Sequence, residues 1–170
     1  MGTAAVSFGG ILPGFSARSY GNIPGANERI NVVAMGVNSR GNAVAGNFAY
    51  QENCQVTHVC DVDSRAAEKC IAAVEKIQKK RPKATGDVRK ALEDKDVDAL
   101  IVTAPDHWHA PAAILACKAG KHVYLEKPCS HNPREGELVV EALVARFQRT
   151  RAISHGTIGS TMHKLVARIE

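Results

Sequence analysis

The residues with the types and spacing to do chemistry fall into three short stretches. The first is the turn carrying Gly36, Asn38, Ser39, Arg40 and Gly41, inside RINVVAMGVNSRG at residues 29–41. It has the spacing of a dinucleotide fingerprint, G-x-N-x-x-G in place of G-x-G-x-x-G. Holding a pyrophosphate demands a sharp turn, close approach of the backbone and free helical N–H groups aimed at the anion. Gly36 can make the turn without a Cβ clash, and Gly41 lets a helix pack against the strand. Asn38 tolerates left-handed angles better than most residues but keeps a side chain. The second stretch holds Asp61, about 20 residues beyond Gly41, where the fingerprint places a carboxylate for the ribose hydroxyls of an adenosine. A carboxylate there accepts two hydroxyl hydrogen bonds and repels a 2′-phosphate, which favours NAD over NADP. Asp63 reads as a helix cap, and Arg65 could stack on adenine or attract a phosphate. The third stretch is double: Thr103, Pro105, His107, Trp108 and His109 in TAPDHWH, and Glu126, Lys127 and Pro128 in EKP.

The elements that must position these residues follow from hydrophobic periodicity. Ile30, Val32, Val33, Ala34 and Met35 form a near-continuous apolar run, as a central parallel strand covered on both faces requires. Residues 42–50 read as a first helix and 56–60 as a second strand ending at Asp61. In residues 64–80, Ala67, Cys70, Ile71, Val74 and Ile77 share one helical face, with a basic last turn and Pro82 as the stop. No element is assigned to residues 83–86. A short helix is expected over 87–93, a strand over 97–103, a helix over 111–119 closed by Gly120, a strand over 122–125, a helix over 135–147 and a last strand over 152–155. Strands alternating with helices imply an α/β fold, a Rossmann-like doubly wound parallel sheet with right-handed crossovers. In such sheets ligands sit outside the carboxyl ends of the strands, which is where all three stretches lie.

The chain has 170 residues and a net charge of +5. Its basic residues are dispersed and aromatics make up 5% of it, so no nucleic-acid site stands out. No stretch is long enough for a membrane span. Five cysteines without a C-x-x-C pair argue against a disulfide framework or a zinc knuckle, and Cys60 and Cys117 read as core residues. His107, His109, His122, Cys129 and His131 lack a metal-ligand spacing and a carboxylate partner, so no metal is assigned. Residues 1–28 read as leader and linker, residues 3–17 being apolar and uncharged like the hydrophobic half of an export signal.

With GVNSRG at 36–41, DVD at 61–63, TAPDHWHAPAA at 103–113 and AGKHVYLEKP at 119–128, the sequence resembles the glucose–fructose oxidoreductase / inositol dehydrogenase (Gfo/Idh/MocA) family. The resemblance covers residues 29–156. It implies an NAD(P)-dependent oxidoreductase acting on a hydroxyl carbon of a sugar, inositol or related polyol. It also implies that Lys127 is the catalytic lysine, that His109 joins it as a catalytic residue near the nicotinamide, that Glu126 positions the cofactor and that a cis peptide precedes Pro128. A lysine suits that chemistry, because the hydroxyl proton must leave as hydride departs.

Family members continue into an α+β substrate domain, which commonly forms the subunit interface. Residues 157–170 resemble only the start of the connection to it, so the expectation is a cofactor domain with little or no turnover by itself. A homo-oligomer is left open. The leader resembles the mature start of members exported by the twin-arginine route, without an arginine pair. Periplasmic origin is therefore one expectation and a cytoplasmic one the alternative. Two other functions stay open: an NAD-dependent glycosidase of related fold, and a non-catalytic nucleotide-binding or interaction module.

Overall fold

The computed structural model describes residues 29–153, with side chains through residue 146. The leader, the strand expectation at 154–155 and the connection at 157–170 lie outside the described residues. The elements, in chain order, are β1 (Ile30–Met35), α1 (Arg40–Ala49), β2 (Cys54–Cys60), α2 (Ser64–Gln78), β3 (Lys83–Thr85), α3 (Val88–Leu92), β4 (Ala99–Val102), a 3-10 turn (Asp106–Trp108), α4 (His109–Lys118), β5 (His122–Leu125) and α5 (Pro133–Ile153).

The five strands pair in the order β3-β2-β1-β4-β5, and every pairing is parallel. β1 is central because it is apolar on both faces: Val32, Val33 and Ala34 are fully buried. Alternation along the strands divides the core in two. Val32 and Ala34 of β1 and Ala99 and Ile101 of β4 pack against Val44 and Phe48 of α1 and Ile71 and Val74 of α2. Val33, Leu100 and Val102 face the other way, against Val88 and Leu92 of α3 and Ala112 and Ala116 of α4. Full burial of such side chains contributes roughly 1.5–3 kcal/mol each, so the sheet and both helical layers are mutually dependent. The chain runs outward from β1 on one side to β2 and β3, then returns to lay β4 on the other side. The strand ends beside β1 are therefore a topological switch point, the natural place for a ligand groove.

Four sequence expectations need correction. First, β3 is a three-residue edge strand in the segment to which no element was assigned. Two of its residues are exposed, so it carries no apolar signal. Second, α2 ends at Gln78 and not at Lys80. Lys79 takes a left-handed conformation (φ 57°) and returns its N–H to the Glu75 carbonyl at 2.9 Å. The Gln78 side chain turns to β2, donating to the Val56 carbonyl (2.8 Å) and accepting from the Val56 N–H (3.1 Å). β3 pairs only with His58–Cys60, so the Gln78 amide takes over where that edge strand is too short. Third, Arg81 does not serve the helix dipole but bridges Glu68 and Glu75. Fourth, α5 runs on to Ile153, so Ala152 and Ile153 belong to a helix and not to a last strand.

Candidate functional site

The site begins where β1 ends. Gly36 has φ +78°, and a Cβ there would run into the backbone of Ala104. A Cβ on Gly41 would meet the Gly36 carbonyl oxygen and, at 2.5 Å, the Thr103 hydroxyl. Both glycines are thus required by close approach, of loop to loop and of helix to turn. Thr103 fastens the same junction. Its N–H donates to the Met35 carbonyl (2.9 Å), and its hydroxyl lies 2.9 Å from the carbonyl oxygens of both Met35 and Gly36. Asn38 is accommodated without left-handed angles: Lys79 is the single non-glycine with positive φ among the described residues. The middle glycine's freedom is therefore not needed here, and the exposed Asn38 lines the groove.

α1 then starts at Arg40 with Ser39 in the capping position. The Ser39 side chain makes no capping bond, and no acidic residue stands in the first turn. Helical N–H donors are left facing the groove without a side-chain acceptor, as an anion site requires.

Asp61 closes the other side of the turn. One carboxylate oxygen accepts from the Val37 N–H at 2.8 Å and the other from the Asp63 N–H at 2.9 Å. Each oxygen keeps a second acceptor direction for a ligand hydroxyl. Arg65 is turned away onto Asp63, with Nε and Nη2 both at 3.1 Å from its carboxylate. It is exposed and stands outside the lining of the groove.

The groove has a volume of about 860 Å³ and is lined among others by Gly36, Ser39, Asp61, Thr103, Pro105 and Trp108. Val62, Gly86, Asp87, Val88 and Arg89 also line it, and sequence reasoning missed them as site residues. One sequence signal was available, since Asp87-x-Arg89 repeats Asp63-x-Arg65, whereas the 94% exposure of Val62 is visible only in the structure. Cys60 lines the wall, but burial first, then Asp61 and Asp87, push its thiol up to about 11, so it is not a nucleophile.

A smaller cleft of about 480 Å³ adjoins the groove through Arg40, Thr103 and Ala104 and adds Asp106, His109, Glu126 and Lys127. Arg40 Nη2 lies 3.0 Å from Glu126 Oε1. This hydrogen bond holds the Glu126 carboxyl below its usual range against the opposing effect of desolvation. Lys127 is exposed, and the Lys127–Pro128 peptide is cis, as expected. His109 is 2% exposed. Its Nδ1 meets the Pro128 carbonyl, and its Nε2 lies 2.8 Å from the Ala104 carbonyl. His107 is exposed beside Trp108, with ring centroids 6.3 Å apart, and lines neither cleft. Among the described residues no group of three or more His, Cys, Asp or Glu could hold a metal, and no helix is long and apolar enough to cross a membrane.

The groove fits a dinucleotide by its own features: two glycines that admit no Cβ, an uncapped helix start and an acid beyond the second strand. Comparison with known proteins agrees. Residues 30–151 match the Gfo/Idh/MocA profile, described as an oxidoreductase family with an NAD-binding Rossmann fold. A glycosyl hydrolase family 109 protein of Shewanella sp. (strain W3-18-1) is 29% identical over 116 residues, covering 66% of this chain and 25% of that protein. An alpha-N-acetylgalactosaminidase of Shewanella oneidensis is 31% identical over 107 residues, covering 59% of this chain and 23% of that protein. The chain thus spans about a quarter of the length of the curated relatives it matches. Among solved structures, the fold is similar to that of myo-inositol dehydrogenase from Lactobacillus casei, determined with NAD(H) and myo-inositol. The TM-score is 0.63 at 22% identity, covering 69% of this chain and 32% of that one. With the family profile matched across every strand and the groove, this chain belongs to the Gfo/Idh/MocA oxidoreductase family and carries its NAD-binding Rossmann fold.

Proposed function

We propose that the groove takes NAD in preference to NADP, and that the chain is the cofactor-binding part of an enzyme that oxidises or reduces a hydroxyl carbon on a sugar or polyol. The observation that carries this reading is the uncapped start of α1 lying across the groove from Asp61. The N–H groups of α1 would hold the pyrophosphate, and Asp61 would accept from the adenosine ribose hydroxyls while repelling a 2′-phosphate. Val62 and Val88 offer the adenine an apolar wall. The bound nicotinamide supplies a hydride acceptor or donor. Lys127 takes the hydroxyl proton in one direction and returns it in the other, and Glu126 stands beside it to orient the nicotinamide end.

The test is calorimetric titration of the chain with NAD and with NADP, in parent and Asp61→Ser forms. We expect NAD to bind at least about tenfold tighter than NADP in the parent, and the preference to shrink in the variant. A folded parent that binds neither nucleotide overturns the proposal.

The relatives named as family 109 glycosidases favour a second reading, an NAD-dependent glycosidase with no net redox change. Net NADH release during turnover by the enzyme carrying this domain would exclude it.

A further inference from the structure

The buried imidazole of His109 is the feature that the proposed chemistry leaves unused. Only 2% of the residue is exposed, and both of its ring nitrogens lie against main-chain carbonyl oxygens. Those two carbonyls belong to the two loops that form the reactive end of the site. Ala104 follows Thr103 at the end of β4, and Pro128 follows Lys127 at the end of β5. On its other side, Ala104 is the residue whose backbone leaves no room for a Cβ on Gly36. A continuous set of contacts therefore runs from the glycine turn, through Thr103 and Ala104, through the His109 ring, to the Lys127–Pro128 turn.

We infer that His109 is a positioning residue: a buried brace that sets the Lys127 turn at a fixed distance from the glycine turn, and so registers the lysine on the nicotinamide end of the cofactor. This rests on the NAD reading above.

Two features support the assignment. The other bracket across this cleft, Arg40–Glu126, is held by an arginine whose side chain is 72% exposed. A cofactor pyrophosphate or ribose can draw that pair apart at little cost, because exposed ion pairs contribute little. The His109 ring is buried and its two contacts are part-buried, where a polar group left unpaired costs more than in water, so they outlast the ion pair. The ring also spans both loops at once, with one nitrogen against each carbonyl oxygen and the tautomer deciding which of them carries the donating N–H. The charged groups sharing the cleft with the ring are Arg40, Asp106, Glu126 and Lys127.

The test uses the whole chain with His109→Leu, which puts an apolar side chain of similar bulk in place of the ring and removes both ring nitrogens, and His109→Gln, which keeps a donor. ADP-ribose reads the adenine and pyrophosphate half of the groove alone. NADH reads the nicotinamide half as well, through its affinity and its fluorescence. We expect His109→Leu to bind ADP-ribose within about twofold of the parent and NADH about tenfold more weakly, with the fluorescence change lost and partly restored in His109→Gln. A general loss of structure would weaken both ligands together. Hydrogen exchange gives a reading that needs no ligand: peptides spanning residues 124–130 should exchange at least about tenfold faster in His109→Leu, with β1 and β2 unchanged.

Parental exchange in that turn, or parental NADH affinity and fluorescence, overturns the brace. Should the leucine variant not fold, scalar couplings across the hydrogen bonds from the His109 ring nitrogens to the Ala104 and Pro128 carbonyl carbons decide on the parent. Coupling to either carbonyl supports the brace, and coupling to neither refutes it. A parent that binds neither ligand defeats the NAD reading, while the exchange measurement still decides the brace.

Discussion

The helices α1 and α2 begin at the same end of the sheet, and they begin differently. α2 is closed by Asp63, which accepts the Arg65 N–H at 2.9 Å and is in turn gripped by the Arg65 guanidinium. α3 repeats the device, with Asp87 accepting the Arg89 N–H at 3.0 Å and pairing with its side chain. α1 has Ser39 at the equivalent place, with no capping bond, and none of the three helices has an acid in its first turn to substitute for a cap. The local chemistry that stabilises α2 and α3 would place negative charge where α1 faces the groove. An open helix start is less stable alone, and it is the state that leaves donors for an anion. The contrast is between two helix starts closed by an aspartate and one whose N–H groups have no side-chain acceptor.

The largest effect should come from denying α1 its close approach. Gly36→Ala forces a Cβ into the Ala104 backbone at a positive φ. We expect a stability loss of about 2–4 kcal/mol in urea denaturation, together with loss of NAD binding. Parental stability would show that the turn can relax. A smaller and more specific change converts α1 into a helix of the α2 kind. Ser39→Asp should leave the melting temperature equal or slightly higher and weaken NAD about tenfold in calorimetric titration. Unchanged NAD affinity would place the anion elsewhere.

The smallest effect lies on the capped side. The Arg89 side chain first, and its N–H next, hold Asp87 down to about 2 from an ordinary 3.8. A depressed carboxyl contributes stability that is complete above 3.8 and is lost as pH falls through about 2. Asp87→Ala should therefore lower the melting temperature by roughly 3 °C at neutral pH. The difference from the parent should vanish toward pH 2. A difference that persists there would assign the effect to packing.

These termini also show why parts of the chain were readable. Asp63 and Asp87 act on N–H groups two residues away, so their roles are visible in the sequence. The same holds for Gly120, which has φ +76° just past α4, and for the apolar run of β1. β3 was not readable, because a three-residue exposed edge strand is defined by its neighbour and not by its own periodicity. The length of α5 was missed for a related reason. Residues 148–151 (QRTR) carry no apolar stripe to prolong the helix pattern, and the apolar pair Ala152-Ile153 that follows reads as the start of a strand.

The candidate site divides along the same line. Gly36, Gly41 and Asp61 were recognisable because each answers a local demand: a tight turn, a packed helix, an acid at a strand end, whereas the EKP turn was recognisable by its family resemblance. The pairing of Arg40 with Glu126, 86 residues apart, was not. Nor were the turning of Arg65 onto Asp63, the exposure of His107, or the burial of His109 between two carbonyls. Residue type and short-range spacing determined the strands, the caps and the glycine turn, because those depend on backbone sterics and on hydrogen bonds within a few residues. Which side chains meet across the groove was decided by the packing of β1 between β2 and β4, because contact between distant residues exists only once the sheet has brought their loops to one end.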